Sequence, residues 1–206
     1  MTTILIFGDS IAYGAWDAQG GWVARLRKLV DKRNADPKDD FYCLVYNLGV
    51  SGDTTADVLQ RMNAEINARE KDDLILVFSI GGNDAVYIPS KKSNKVAPAE
   101  FEKNINKIIK QAKKYTNHSL FTGIIPMDES KTHPVSWNKD CHYYNKTNKA
   151  YEEIIKKVCK DHNVEFVPLF DKIHYDGQDG VHPESTGHQC IFAEVKRTLT
   201  KRYLNN

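Results

Sequence analysis

Five short runs of apolar residues, Ile4 to Phe7, Tyr42 to Leu48, Leu74 to Ile80, Leu120 to Ile125 and Val164 to Leu169, constrain this chain more than any other feature. Most are continuous instead of alternating. A strand that is apolar on both sides is one covered on both sides, which is the habit of parallel sheets with helices above and below. Between the runs the period changes to that of a helix. Trp22, Leu26, Leu29 and Val30 follow an i, i+4, i+7, i+8 pattern, and Val58, Leu59, Met62 and Ile66 form a comparable stripe. Three more stripes follow: Phe101, Ile105, Ile108, Ile109 and Ala112; Thr147, Tyr151, Ile154, Ile155 and Val158; and His188, Ile191, Phe192, Val195 and Leu199. Five strands alternating with five helices predict one open α/β sheet, because right-handed crossovers join parallel strands most readily. At 206 residues, one domain over positions 1–206 is expected. Strand order is not readable from the pattern.

In such a sheet the loops leaving the C-terminal strand ends gather along one edge, and ligands bind there. After the first run comes Gly8-Asp9-Ser10, which places a serine at that edge. After the second comes Asn47-Leu48-Gly49-Val50-Ser51-Gly52, whose glycines allow close backbone approach. Gly81-Gly82-Asn83-Asp84 follows the third run and brings a neutral amide donor. The fifth is followed by Asp179-Gly180-Val181-His182-Pro183, with a carboxylate and an imidazole on one loop and Pro183 suited to starting the last helix. The polar stretches Pro89 to Pro98 and Met127 to Asp140 are expected to overhang the same edge.

These residues meet the requirements of acyl transfer. The Ser10 hydroxyl is a poor nucleophile at neutral pH and needs His182 to take its proton. Asp179, three residues before His182, is positioned to fix the imidazole tautomer, with Asp176 in reserve. The Ser10 N–H, the Gly49 N–H and the Asn83 amide are the candidate donors to a developing oxyanion. Asp9 and Asp84 read as carboxylates that hold their loops. Tyr13, Trp16, Tyr87 and Trp137 fall in or beside the strand-end loops and are candidates for the substrate pocket wall.

Gly8-Asp9-Ser10, Gly49, Gly81-Gly82-Asn83-Asp84 and Asp179-Gly180-Val181-His182 resemble the four sequence blocks of the SGNH hydrolases, the GDSL-type esterases, lipases and acylhydrolases. The resemblance spans nearly the whole chain. It implies a flavodoxin-like three-layer α/β/α sandwich on a parallel five-stranded sheet, and hydrolysis of carboxylic esters through an acyl-enzyme with no metal or cofactor. Two departures are visible: Ile11 stands where the family name implies leucine, and the stretch Met127 to Asp140 has no counterpart in the pattern. Other hydrolase and nucleotide-binding frames fit less well. The serine is not in a G-x-S-x-G elbow, and neither G-x-G-x-x-G after the first strand nor G-x-x-x-x-G-K-[ST] occurs.

Composition limits the partners. The 29 Lys plus Arg against 27 Asp plus Glu leave a net charge of +2, without the clustered basic excess that nucleic acid or an anionic membrane surface attracts. No long apolar stretch suggests a lid or a deep lipid tunnel, and the loop aromatics suit a sugar face or a short acyl chain, so a small soluble ester such as an acetylated carbohydrate is expected ahead of long-chain lipid. Lysophospholipase, acyl-thioesterase and acyltransferase activities are the alternatives, and a catalytically idle carbohydrate-binding protein is the non-enzymatic one. Cys43, Cys141, Cys159 and Cys190 show no C-x-x-C spacing and read as free thiols of a reducing compartment. The N-terminus has no signal-peptide pattern, which reads as cytoplasmic unless a leader was trimmed. No histidine spacing is that of a metal site.

Overall fold

The structure, a computed structural model, describes residues 1–69, 73–175 and 177–204. Strand β1 (Thr2–Gly8) explains why its run is continuous: Ile4 and Ile6 enter one core, while Leu5 and Phe7 enter another on the opposite face. It lies between β2 (Cys43–Gly49) and β3 (Asp73–Ser79), parallel to both. Two short strands, β4 (Tyr87–Ile88) and β5 (Ser93–Asn94), form a separate antiparallel hairpin. Strands β6 (Ser119–Thr122) and β7 (Glu165–Val167) complete the main sheet in the order β2-β1-β3-β6-β7, all parallel. Counting only those five strands, this is the 2-1-3-4-5 order of flavodoxin-like sheets.

Among the described residues, six α-helices accompany the sheet. The short α1 (Ser10–Tyr13) follows β1 directly. Helices α2 (Gly21–Asn34) and α6 (Ser185–Leu199) cover one face, burying Trp22, Leu26 and Val30 with Ile191, Val195 and Leu199. Helices α3 (Thr55–Arg69), α4 (Pro98–Ala112) and α5 (Asn145–His162) cover the other, with Met62, Ile105, Ile108 and Ile155 at its centre. The five expected stripes are thus the inward faces of α2 to α6, and the three layers are as expected. The last helix begins at Ser185, two residues beyond Pro183.

The later apolar runs outlast their strands. β6 ends at Thr122 and β7 at Val167, yet Ile124, Ile125 and Leu169 remain buried, because the chain continues through the core below the strand-end edge. Above that edge the two polar stretches clasp each other. The Ser90 backbone N–H donates to Asp140 Oδ1 at 2.8 Å, and Tyr87 pairs with His142 as an isolated bridge. All four cysteines are free, with Cys43 and Cys159 buried and their thiols pushed up to about 12 by burial. Among the described residues no helix is long and apolar enough to cross a membrane.

Candidate active site

Helix α1 begins at Ser10 because Asp9 stops the strand: its extended backbone turns the chain, and its Oδ1 accepts the Ile11 N–H at 2.9 Å as an N-cap. Burial, aided by repulsion from Asp84 and Asp53, pushes the Asp9 carboxyl up to about 7. Asp84 is likewise buried and raised to about 6. Its oxygens accept the Thr55 N–H at 3.1 Å and the Thr55 hydroxyl at 2.5 Å, which locks the loop after β3 to the start of α3. Both carboxylates hold loops, as the sequence suggested.

The loops bring Ser10 and His182 together across 172 positions, with Ser10 Oγ 2.9 Å from His182 Nε2. On the far side of the ring, His182 Nδ1 lies 2.7 Å from Asp179 Oδ2. Asp179 is held in turn: its Oδ1 accepts the backbone N–H groups of Val181 and His182, both at 2.8 Å, and faces the Tyr175 hydroxyl at 3.4 Å. Burial pushes the Asp179 carboxyl up, but the donors from His182 and Val181 outweigh it and leave the group below the usual carboxylate range. An ionised carboxylate accepts a hydrogen bond from Nδ1–H, which leaves the Nε2 lone pair facing the serine. Asp176 lies outside the described residues.

The cleft over Ser10 has a volume of about 600 Å³ and is lined by Ala15, Trp16, Ser51, Gly52, Asn83, Trp137 and Tyr143 together with Ser10, Asp179 and His182. Two of the four expected wall aromatics are there. Trp16 and Trp137 approach the His182 ring at 5.6 and 5.9 Å between centroids, and they are 74% and 54% exposed. Tyr13 ends α1 pointing to solvent at 60% exposure and does not line the cleft. Tyr87 is drawn away by its hairpin and packs edge-on against Tyr144 at 6.2 Å. No sequence signal singled out Tyr143, which lies in a loop 60 positions from the asparagine it touches.

The expected oxyanion donors need one correction. Gly49 does not present its N–H to the cleft; the N–H donates to Asn47 Oδ1 at 2.9 Å, while Asn47 Nδ2 donates to the Ala12 carbonyl at 2.9 Å. Gly49 is a glycine for a different reason, since a Cβ there would lie 2.4 Å from the Tyr13 backbone nitrogen. The cleft residue is Gly52, three positions on, with φ of +89° and open space where a Cβ would stand. Among the described residues its N–H has no protein acceptor. Its loop is pinned by Arg61, whose Nε donates to Asp53 Oδ2 at 2.9 Å and whose Nη2 donates to the Leu48 carbonyl at 2.7 Å. Asn83 is at the cleft as expected, its Nδ2 donating to the Asp53 carbonyl at 3.0 Å with a second amide hydrogen to spare. The Ser10 N–H, at the first position of a helix, has no partner within it.

This arrangement can deprotonate a serine hydroxyl and place donors around a carbonyl oxygen bound beside it. Among the described residues no group of three or more His, Cys, Asp or Glu side chains is disposed to hold a metal ion.

Solved structures with the same fold include a lipase/acylhydrolase from Enterococcus faecalis (TM-score 0.75, 21% identity, 98% of this chain and 97% of that one). TesA aligns at a TM-score of 0.73 with 23% identity over 97% of this chain and 98% of its own. An acetylxylan esterase from Geobacillus stearothermophilus aligns at 0.72 with 21% identity over 95% and 92%. No curated protein matches the sequence. The sequence model of the GDSL-like lipase/acylhydrolase family matches residues 6–190, from within β1 to within α6, and so takes in Ser10, Asn83, Asp179 and His182. The chain therefore belongs to the GDSL-like lipase/acylhydrolase family and is a hydrolase acting on ester bonds.

Proposed function

We propose that Ser10 is the nucleophile, His182 its general base and acid, and Asp179 the group that orients the imidazole. The observation that carries this reading is the unbroken chain of contacts from Ser10 Oγ to His182 Nε2 at 2.9 Å and from Nδ1 to Asp179 at 2.7 Å. The seryl proton passes to Nε2 as Oγ attacks the ester carbonyl carbon. The Nδ1 proton stays on the ring, and Asp179 stabilises the imidazolium without taking it. The carbonyl π electrons move onto oxygen, and the N–H groups of Ser10 and Gly52 and the free amide hydrogen of Asn83 donate hydrogen bonds to the resulting oxyanion. One such donor is worth about 3 kcal/mol of barrier. Collapse of the tetrahedral intermediate breaks the bond to the alcohol oxygen, which leaves with the proton from Nε2. Water, deprotonated by the same nitrogen, then attacks the acyl-serine; the acid departs and Ser10 recovers its proton.

The substrate is a short-chain ester, most simply an acetyl ester, of a neutral, sugar-like alcohol. Apart from the Asp179–His182 pair the cleft lining is uncharged, with no lysine or arginine among its described residues to meet a phosphate-bearing head group. The exposed rings of Trp16 and Trp137 offer apolar faces of the kind that sugar rings cover. The acetylxylan esterase among the fold relatives accords with this choice. Turnover of p-nitrophenyl acetate, butyrate and decanoate tests it. The rate is expected to fall with chain length, and a rate that climbs towards decanoate overturns the short-acyl reading.

A further inference from the structure

Trp16 combines three properties that do not ordinarily occur together. Its φ is +67°, a conformation that bulky residues rarely adopt. Its side chain is 74% exposed, so burial does not explain the conformation. Its indole nitrogen lies 2.9 Å from Asp179 Oδ2, the same oxygen that faces His182 Nδ1. The nitrogen is also 3.0 Å from Nδ1, but a ring nitrogen that carries the proton donated to Asp179 has no lone pair left to accept another. The indole hydrogen bond therefore belongs to the carboxylate.

The turn that holds Trp16 is built from both sides. Before it, the N–H groups of Gly14 and Ala15 both donate to the Ser10 carbonyl at 3.0 Å, which winds the turn onto α1. After it, Asp17 is buried and accepts the Gly21 N–H at 3.0 Å, and its carboxylate pairs with Arg25. The Arg25 Nη2 also donates to the Ser185 hydroxyl at 2.7 Å, three residues beyond His182. The turn bearing Trp16 and the loop bearing His182 are thus tied to one guanidinium. A strained residue kept in place by its surroundings and aimed at a functional group points to a role for the strain.

We infer that Trp16 is a positioning residue for Asp179, its indole N–H fixing the carboxylate plane and drawing off part of the charge that Asp179 presents to His182. The inference rests on the reading of Ser10, His182 and Asp179 given above. Without the indole donor, Asp179 faces the imidazole with its full charge, and a proton on the ring is held more tightly. Among the described residues, the other titratable or charged groups around the pair are Ser10, the Tyr143 phenol across the cleft, the Tyr175 hydroxyl at 3.4 Å from Asp179 Oδ1, and the Asp128–Lys131 ion pair packed beside Gly180. None of these is altered by a change at Trp16.

The test is the pH dependence of kcat/KM for p-nitrophenyl acetate in the full chain and in Trp16→Phe, which keeps an aromatic ring at the cleft and removes the N–H donor along with part of the indole. The acid limb is expected to move to higher pH by several tenths of a unit, with kcat down several-fold below neutrality. A Tyr13→Phe control, whose site is exposed and off the cleft, leaves the limb where it is. Melting curves and the low-field proton resonance of the His182–Asp179 hydrogen bond are recorded alongside, and that resonance is expected to shift in Trp16→Phe. A Trp16→Phe limb and resonance that coincide with wild type overturn the positioning role. A wild-type profile with no acid limb overturns the His182 assignment instead, so the two failures are told apart.

Discussion

The Tyr143 hydroxyl donates to Asn83 Oδ1 at 3.1 Å while Asn83 Nδ2 donates to the Asp53 carbonyl at 3.0 Å. A backbone carbonyl can only accept, so the amide nitrogen must be on the Asp53 side, and the tyrosine hydroxyl completes the arrangement by serving the oxygen. The orientation of Asn83, and with it the second amide hydrogen that the proposed mechanism assigns to the oxyanion, is set by these two partners. Burial also pushes the Tyr143 phenol well above its ordinary range, so it keeps its proton, and its place as a donor, through the neutral range.

Tyr143→Phe releases the amide without removing it. We expect kcat for p-nitrophenyl acetate to fall about tenfold with KM nearly unchanged, since the bond orients a group that acts in the transition state. Asn83→Ala removes the donor itself and should cost about 10²- to 10³-fold in kcat. Steady-state kinetics on the two variants check both values, and a Tyr143→Phe loss confined to KM contradicts the orienting role.

Gly49 and Gly52 should fail differently when replaced. At Gly49 an added Cβ meets the backbone of α1, and relief of that contact displaces the helix that carries Ser10. Gly49→Ala is expected to destabilise the fold by about 1–3 kcal/mol, or several degrees in Tm. Gly52→Ala meets no atom and bears only the left-handed backbone cost of about 1 kcal/mol. Thermal melts of both variants should rank Gly49→Ala as the less stable.

Glu152 on α5 is buried and pushed up to about 7, chiefly by burial, against the pull of the Leu169 and Phe170 backbone donors. A carboxyl raised in the folded state binds protons there that the unfolded chain has already released. Its contribution to stability is therefore fully present below the ordinary carboxylate range and is lost as pH rises towards 7. Asp9, also near 7, and Asp84, near 6, act in the same direction. Glu152→Gln mimics the protonated form, and its Tm should exceed that of wild type by several degrees at pH 8 and match it at pH 4.5. Equal melting temperatures at pH 8 contradict this account of α5.

Asp179 behaves oppositely, held below the usual carboxylate range, so it stays ionised as the pH falls through 5. On the proposed mechanism, activity should then rise with pH along a single limb that reports loss of the His182 proton. Asp179→Asn should lower kcat by about 10²- to 10⁴-fold across the profile by removing the charge that stabilises the imidazolium. A loss restricted to low pH contradicts the orienting role.

What the sequence made legible was whatever follows from burial and chain order. Ile4 to Phe7 read as covered on both faces because alternate residues enter different cores, and the edge bearing Ser10, Asn83 and His182 followed from the parallel sheet. What it left open depends on contacts between distant positions. Gly49 ends β2 and Gly52 follows it, and only the competing Asn47 Oδ1 and the +89° turn at Gly52 decide which N–H faces the cleft. The β4–β5 hairpin has two residues per strand, too few for any alternation to be seen. The Trp16 indole meets Asp179 across 163 positions, and the sequence marks it only as an aromatic near the first loop.

The central claim is that Ser10 is a nucleophile activated by His182. Labelling with a fluorophosphonate, followed by peptide mass spectrometry, tests it most directly. The wild-type protein should carry the phosphonyl group on Ser10, His182→Ala should label far more slowly, and Ser10→Ala should not label at all. Equal labelling of wild type and Ser10→Ala would contradict the account.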